Sequence, residues 1–154
     1  MLTDKLLLNN DQFFTEVARM LAGGNSVTLR AKGNSMYPFI VDGRDSVILQ
    51  TYRKTAAVGD IVLAHLPEKG FVLHRIYKND GNEFVLMGDG NLHTTERCSK
   101  NDIVGKVVKI IRNGRYIDCS SSIERYKATL WRKMLPTRRY LLFACRWWVK
   151  RNER

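Results

Sequence analysis

The sequence predicts a mainly β, antiparallel domain with an N-terminal helix and with basic amphipathic helices at the C-terminal end. Short runs of β-forming residues separated by turn residues fill residues 27–118. Asp80-Gly81 and Asn113-Gly114 lie between such runs and are typical of two-residue hairpin turns. Helical spacing of apolar residues occurs before and after this region, and no strand–helix–strand unit interrupts it.

The element boundaries follow from the same patterns. We expect an N-terminal helix within residues 1–24, a β-rich domain over 25–119 and a helical, Trp-rich tail over 120–154. The first helix begins near Asn10, a suitable N-cap residue, and ends at the two glycines after residue 22. The seven predicted strands span residues 27–31, 46–50, 61–65, 71–78, 83–87, 103–112 and 115–118.

The composition is that of an ordinary globular domain. Apolar residues make up 44% and charged residues 27%, which excludes disordered, collagen-like and multi-span membrane proteins. Cys98, Cys119 and Cys145 form no CxxC pair and no HExxH motif occurs, so we expect reduced thiols, no metal and no cofactor. The apolar run at residues 6–8 is too short for a signal peptide or a spanning helix. We therefore expect a protein that is cytoplasmic or peripherally bound to the cytoplasmic side of a membrane.

Positive charge is concentrated in the tail. Residues 124–154 hold ten Lys or Arg and two Glu, and thus carry +8 of the net charge of +11. Helices are predicted over residues 123–135 and 137–151, and the second combines a basic stripe with aromatic residues that include Trp147 and Trp148. This pattern fits docking on an anionic membrane surface. It fits equally well a helix that packs its aromatic side chains on its own domain.

A serine lies in a turn-forming segment at residues 33–38, Gly-Asn-Ser-Met-Tyr-Pro. Gly33 and Asn34 tolerate unusual backbone angles, so they place Ser35 on a turn where its hydroxyl and its N–H can both face a cleft. The same composition is also typical of an ordinary loop.

A histidine and an aspartate are predicted on one face of the hairpin around Asp80-Gly81. Strand alternation sets His74 among apolar neighbours, and a neutral imidazole is the form that a general base requires. A turn at Asp80-Gly81 sets His74 opposite Met87, which brings Asp89 to the same face, one diagonal step away. There the Asp89 carboxylate would orient the imidazole. The alternative is that Asp89 caps a turn within its own glycine-rich segment.

Four short segments resemble, in order, the boxes of type I signal peptidases, a superfamily that also includes the LexA-like self-cleaving repressors. They are Ser-Met-Tyr-Pro at residues 35–38, Gly-Asp-Ile-Val at 59–62, His-Arg-Ile at 74–76 and Gly-Asp-Gly-Asn at 88–91. The resemblance covers roughly residues 25–110, and the order of the boxes makes it more specific than any single one.

The resemblance implies a β-rich serine peptidase that works without a metal. Ser35 matches the nucleophile, and His74 stands where most bacterial members carry a lysine, as in the Ser-His enzymes of the endoplasmic reticulum and of archaea. Asp89 matches the aspartate that supports the base in those enzymes. The acidic positions that often follow are threonines here, with Glu96 next, so Asp89 and Glu96 both remain candidates for this role.

The oxyanion site departs from the family pattern. Gly33 stands where some bacterial members carry a second serine. Stabilisation of the transition state would then fall to backbone N–H groups, chiefly that of Ser35 and also that of Asn34, with Met36 next to them in the cleft. His93, near the Gly-Asp box, and His65, at the end of a predicted strand, are the alternative bases.

We therefore expect a serine endopeptidase of signal-peptidase type that cleaves a leader, signal or precursor peptide by a Ser-His mechanism near a membrane surface. The alternative is a peptide-binding module of the same fold without turnover, and the third hypothesis is nucleic-acid binding through the tail. Charge alone favours the third, so we do not expect nucleic acid as a partner. The implied partners are a peptide or precursor protein and, through residues 137–151, an anionic membrane surface.

Overall fold

The computed structural model describes residues 10–52 and 56–152 of the chain, so the apolar run at residues 6–8 lies outside it. Within these ranges, eight strands form one antiparallel sheet, with one helix before it and two helices after it. The predicted fold class is confirmed. The helices are α1 (Asn10–Ala22), α2 (Ser122–Lys133) and α3 (Arg138–Asn152), and the strands are β1 (Val27–Arg30), β2 (Asp45–Thr51), β3 (Ile61–Leu66), β4 (Gly70–Asn79), β5 (Glu83–Met87), β6 (Glu96–Ser99), β7 (Ile103–Arg112) and β8 (Arg115–Asp118).

The sheet has the strand order β1-β2-β7-β3-β4-β5-β6, and β8 pairs with β7. Helix α1 covers one face, where Val17 and Leu21 join a buried cluster with residues of β2, β3 and β7. The helix approaches closely because Gly105 has no side chain: a Cβ at this position would lie 2.8 Å from Cδ1 of Leu21. A second buried cluster, which includes Val62 and Ile76, fills the other face of β3, β4 and β5.

The two hairpin predictions have different outcomes. Asn113 and Gly114 form the turn between β7 and β8, and both have positive φ, as a type I′ turn requires. In the β4–β5 hairpin the turn lies one residue later than predicted, because the N–H of Asp80 donates to the carbonyl of Glu83 at 3.0 Å. A β-bulge at Tyr77 then shifts the register again before the strands reach the site.

Strand β6 was not predicted from the sequence. Its four residues, Glu-Arg-Cys-Ser, pair with β5, and Leu86 lies opposite Glu96. Glu96 and Cys98 are buried while Arg97 is exposed, so the alternation of a strand is present. The polar composition of these four residues hides this alternation in the sequence, because glutamate is usually a surface residue.

The C-terminal helices pack through one side on the loop segments around Tyr37 and Leu92. Trp131 of α2 and Leu142 of α3 are buried in a cluster with Tyr37. The N-cap of α2 is Ser121, whose side chain accepts a hydrogen bond from the N–H of Glu124. Within the described part of the chain, none of the helices combines the length and apolar character that a membrane crossing needs.

Candidate functional site

The segment that carries Ser35 lies directly on the turn that follows β5. The N–H of Gly90 donates to the carbonyl oxygen of Ser35 at 2.9 Å. A Cβ at Gly88 would overlap that same oxygen, and a Cβ at Gly90 would overlap the carbonyl oxygen of Asn34. Only glycine allows the two backbones to come this close, so the Gly-Asp-Gly-Asn turn is shaped to hold the Ser35 backbone.

A buried histidine–carboxylate pair lies on β4 and β6. Nδ1 of His74 is 2.8 Å from Oε2 of Glu96, and both side chains are buried. Oε1 of the same carboxylate is 3.2 Å from Nζ of Lys69, whose ammonium is half exposed. The carboxylate therefore has a cation on one oxygen and an imidazole on the other. If Nδ1 carries the proton donated to Glu96, Nε2 presents its lone pair to a reaction partner.

The turn that holds the Ser35 segment begins where the β4–β5 ladder ends. Arg75 pairs with Met87 at that end of the ladder, and His74 and Gly88 are the next residues along the two chains. The Ser35 carbonyl occupies the position where a Gly88 side chain would stand. The Ser35 backbone therefore contacts the residue that follows the partner of Arg75.

The expectation that Asp89 shares a face with His74 is wrong, and the register explains why. The later turn and the bulge at Tyr77 move the pairing by one residue, which sends every side chain of the turn segment to the opposite face. The Asp89 carboxylate instead forms a two-pronged ion pair with Arg75, at 2.8 Å from Nε and 2.7 Å from Nη2. The carboxylate in contact with His74 is that of Glu96.

The Asp89–Arg75 ion pair changes the pKa of Arg75. Burial alone would lower the pKa of Arg75, but the Asp89 carboxylate outweighs that effect and raises it. Nη1 of Arg75 also donates to the carbonyl of Gly59 at 2.7 Å. The pair therefore joins the two Gly-Asp turns of the chain, on the face of the sheet opposite to His74.

The predicted oxyanion residues differ in what their N–H groups contact. The Gly33 N–H donates to Oδ2 of Asp42 at 2.9 Å, so it is engaged within its own loop. Across residues 10–52 and 56–152, neither the N–H nor the hydroxyl of Ser35 forms a hydrogen bond. Met36 is buried in the core rather than lining a cleft. The Asn34 N–H likewise donates no hydrogen bond within these residues, so the N–H groups of Asn34 and Ser35 are both left as donors for an oxyanion.

The alternative bases lie elsewhere. His93 is exposed, and the exposed His65 stacks on Phe71 with 4.4 Å between the ring centroids. Lys69 reaches the site only through Glu96. No three His, Cys, Asp or Glu side chains of the described residues form a group that could hold a metal ion.

Comparison with known proteins places this geometry in context. A family model described as Peptidase S24-like matches residues 4–108, which contain the serine segment, both Gly-Asp turns and the histidine–glutamate pair. Strand β8 and helices α2 and α3 lie beyond the matched part. A search among curated proteins finds no match to the chain.

Proposed function

Given that this chain belongs to the Peptidase S24-like family, we propose that it is a serine endopeptidase with Ser35 as nucleophile and His74 as general base. The family has a serine-peptidase-type fold and suggests a peptide hydrolase. The observation that carries the assignment for this chain is the buried contact between Nδ1 of His74 and Oε2 of Glu96, 2.8 Å apart.

In the acylation step, Oγ of Ser35 attacks the scissile carbonyl carbon while Nε2 of His74 takes the hydroxyl proton. The oxyanion that forms accepts a hydrogen bond from the Ser35 N–H. His74 then gives its proton to the leaving nitrogen, and the C–N bond breaks. General-base action contributes about 10²–10⁴ in rate, and one oxyanion donor about 10²–10³.

In the deacylation step, a water molecule replaces the departed amine. His74 takes a proton from the water, the hydroxide attacks the ester, and the proton returns to Ser35 as the carboxylic acid leaves. Glu96 accepts the Nδ1–H bond throughout, so it fixes the tautomer of His74 and stabilises the imidazolium. Lys69 contacts the second oxygen of Glu96, which puts a positive charge on the side of the carboxylate away from His74. No step needs a metal or a cofactor.

Reaction with a fluorophosphonate probe tests the nucleophile. We expect one covalent adduct per chain, located on Ser35 by mass spectrometry of the digested protein. Ser35→Ala should abolish the adduct, and His74→Ala should slow its formation by about 10²-fold or more. Ser122→Ala, at the exposed start of α2, is the matched control and should react like the unaltered protein. An adduct of unchanged rate and yield in Ser35→Ala overturns the assignment.

Turnover separates a peptidase from a peptide-binding module of the same fold. We expect cleavage products when a mixed peptide library is incubated with the protein and analysed by mass spectrometry. Cleavage should stop in Ser35→Ala. Peptide binding without any product, together with failure of Ser35 to react with the probe, would identify the binding module instead.

We also propose that the substrate is a signal, leader or precursor peptide processed close to an anionic membrane surface, with α3 as the docking element. The buried side of α3 faces the domain through Arg138 and Leu142. On the outward side lie exposed aromatic side chains, about 180° around the helix from Arg138. They are Tyr140, Phe143 and Trp147.

Charge favours a lipid surface as the occupant of this outward side. Helix α3 contains basic residues and no acidic one, and exposed cations lie on both flanks of the aromatic strip. The guanidinium of Arg151 lies over the Trp147 ring, 5.3 Å from its centroid. Aromatic rings at headgroup depth with cations near anionic phosphates are typical of helices that lie on a bilayer.

Vesicle binding tests the docking proposal. We expect the protein to sediment with phosphatidylglycerol–phosphatidylcholine vesicles and not with pure phosphatidylcholine, and added salt should weaken binding. The double variant Phe143→Ser, Trp147→Ser should lose binding, while Tyr116→Ser, an exposed aromatic position on β8, should keep it. Full retention by the double variant, or preference for a DNA duplex over the anionic vesicles, contradicts docking on lipid.

A further inference from the structure

Two residues beyond the family-matched part contact the turn that holds Ser35. Nε1 of Trp131, in α2, donates to the carbonyl oxygen of Asp89 at 2.9 Å. Nη1 of Arg138, at the start of α3, donates to the carbonyl oxygen of Asn91 at 3.2 Å. The Gly-Asp-Gly-Asn turn is thus held between the Ser35 segment on one side and the C-terminal helices on the other.

Trp131 contacts the serine segment as well as the turn. Its ring meets that of Phe39 edge to face, with 5.9 Å between centroids. It also shares a buried cluster with Tyr37. Tyr37 and Phe39 follow Ser35 closely in the chain. The Trp131 indole therefore contacts both the Ser35 segment and the Gly-Asp-Gly-Asn turn that holds it.

Arg138 is a buried guanidinium that has no carboxylate contact within the described residues. It is 2% exposed, and its Nε has no hydrogen-bond partner there. Nη2 donates to the carbonyl of Trp131 at 3.2 Å, and the guanidinium lies 5.2 Å from the centroid of the Trp131 ring. Burial lowers the pKa of Arg138, which reflects the cost of removing the charge from water. The guanidinium of Arg138 donates hydrogen bonds to the turn and to α2.

We infer that Trp131 and Arg138 are positioning residues that hold the backbone of Ser35 in its reactive placement through the Gly-Asp-Gly-Asn turn. Their effect on catalysis rests on the proposed function. Their effect on the Ser35 backbone is independent of the proposed function, because it is transmitted by the hydrogen bond from the Gly90 N–H to the Ser35 carbonyl. Neither residue contacts the reacting atoms, so both act on rate through geometry, where small displacements have large effects.

The test compares Trp131→Phe with Tyr126→Phe, which alters an exposed aromatic residue on the outer side of the same helix. Both are studied below the temperature at which either begins to unfold. In Trp131→Phe we expect the maximal rate of fluorophosphonate labelling to fall about 10- to 100-fold, with the half-saturating probe concentration unchanged. Amide hydrogen exchange at Gly90 should become faster. Tyr126→Phe should change neither quantity, and Arg138→Lys, which keeps the charge but not the fork of donors, should resemble Trp131→Phe.

The two readouts separate this inference from the proposed function. If the unaltered protein fails to react with the probe but Gly90 exchange is faster in Trp131→Phe, the peptidase assignment fails and the positioning role stands. If the unaltered protein reacts and Trp131→Phe behaves like Tyr126→Phe in both readouts, the positioning role is overturned. A labelling rate that falls only in proportion to the unfolded fraction also overturns it.

Discussion

His74 and Glu96 face each other at 2.8 Å on one side of the sheet, while Arg75 and Asp89 are paired at 2.7 Å on the other. Alternation along β4 sends neighbouring residues to opposite faces. One strand therefore contributes the proposed general base and, one residue later, an arginine that stabilises the fold. The two carboxylates adjacent to these residues should behave differently when each is replaced by its amide.

Glu96→Gln should impair catalysis more than stability. The amide cannot stabilise an imidazolium as a carboxylate does, so we expect the rate of Ser35 labelling to fall by about 10²–10⁴-fold. Asp89→Asn should chiefly lower the free energy of unfolding, by about 3–5 kcal/mol, because it leaves the buried Arg75 without its counter-charge. Urea unfolding and labelling kinetics on both variants check this, and the reverse assignment of effects contradicts the proposed roles.

Gly88→Ala should displace the Ser35 backbone. The added methyl would overlap the Ser35 carbonyl oxygen, so one of the two backbones must move. We expect a loss of about 1–3 kcal/mol in unfolding free energy and slow labelling of Ser35. The control is Gly23→Ala, where the nearest heavy atom to the new Cβ is 3.5 Å away. Equal labelling of the two variants would show that the close contact at Gly88 does not matter to the nucleophile.

Asp45 should make stability depend on pH in the acid range. Burial alone would raise the pKa of this carboxyl, but hydrogen bonds from Arg112 and Arg44 lower it below its ordinary 3.8. A lowered folded-state pKa contributes stability that is present above about 3.8 and is lost as the pH falls through the folded value. Asp45→Asn should therefore be less stable at neutral pH, by about 1–3 kcal/mol.

The stability difference between the unaltered protein and Asp45→Asn should shrink as the pH is lowered from 4 towards 2, and thermal unfolding across about pH 2–8 measures it. Glu68→Gln, an exposed position between β3 and β4, should follow the unaltered protein throughout. A difference that stays constant down to the lowest pH would contradict the ion pairing of Asp45.

The thiols of Cys98 and Cys119 should be unreactive in the folded protein. Burial raises the pKa of each to about 11, so only about one thiol in a thousand is ionised at pH 8. Iodoacetamide should alkylate both slowly, faster at higher pH, and rapidly in urea, where ordinary thiol pKa values return. Ser35 labelling should survive this treatment. Its loss in step with alkylation of Cys98 or Cys119 would point to a thiol at the reactive centre.

Sequence reasoning is least accurate for the carboxylate that contacts His74. Period-2 alternation correctly assigns β4 and β5, but it does not reveal where a bulge will fall. The side chain of Asp89 was therefore assigned to the wrong face by a shift of one residue. Glu96 could be named only as an alternative, because β6 has just two inward positions and one of them is this charged residue.

The tail shows a different limit. Amphipathic spacing predicts the helices of residues 123–135 and 137–151 nearly as they occur. It does not indicate that Trp131 and Arg138 point inward while Trp147 and Trp148 stay exposed. Burial of an arginine is against expectation for the residue type. The carbonyl groups that accept from Arg138, those of Asn91 and Trp131, are known only from the structure.

The bulge at Tyr77 divides the β4–β5 hairpin into two parts with different tolerance for change. At the tip beyond it, the N–H of Gly81 donates to the Asn79 side chain and Asp80 pairs with Arg97 of β6. Extra residues at Gly81 should therefore leave the pairing of Arg75 with Met87 intact. A reporter peptide can be grafted at this tip. A single deletion between the bulge and His74 would shift the register by one residue and turn the imidazole away from Glu96.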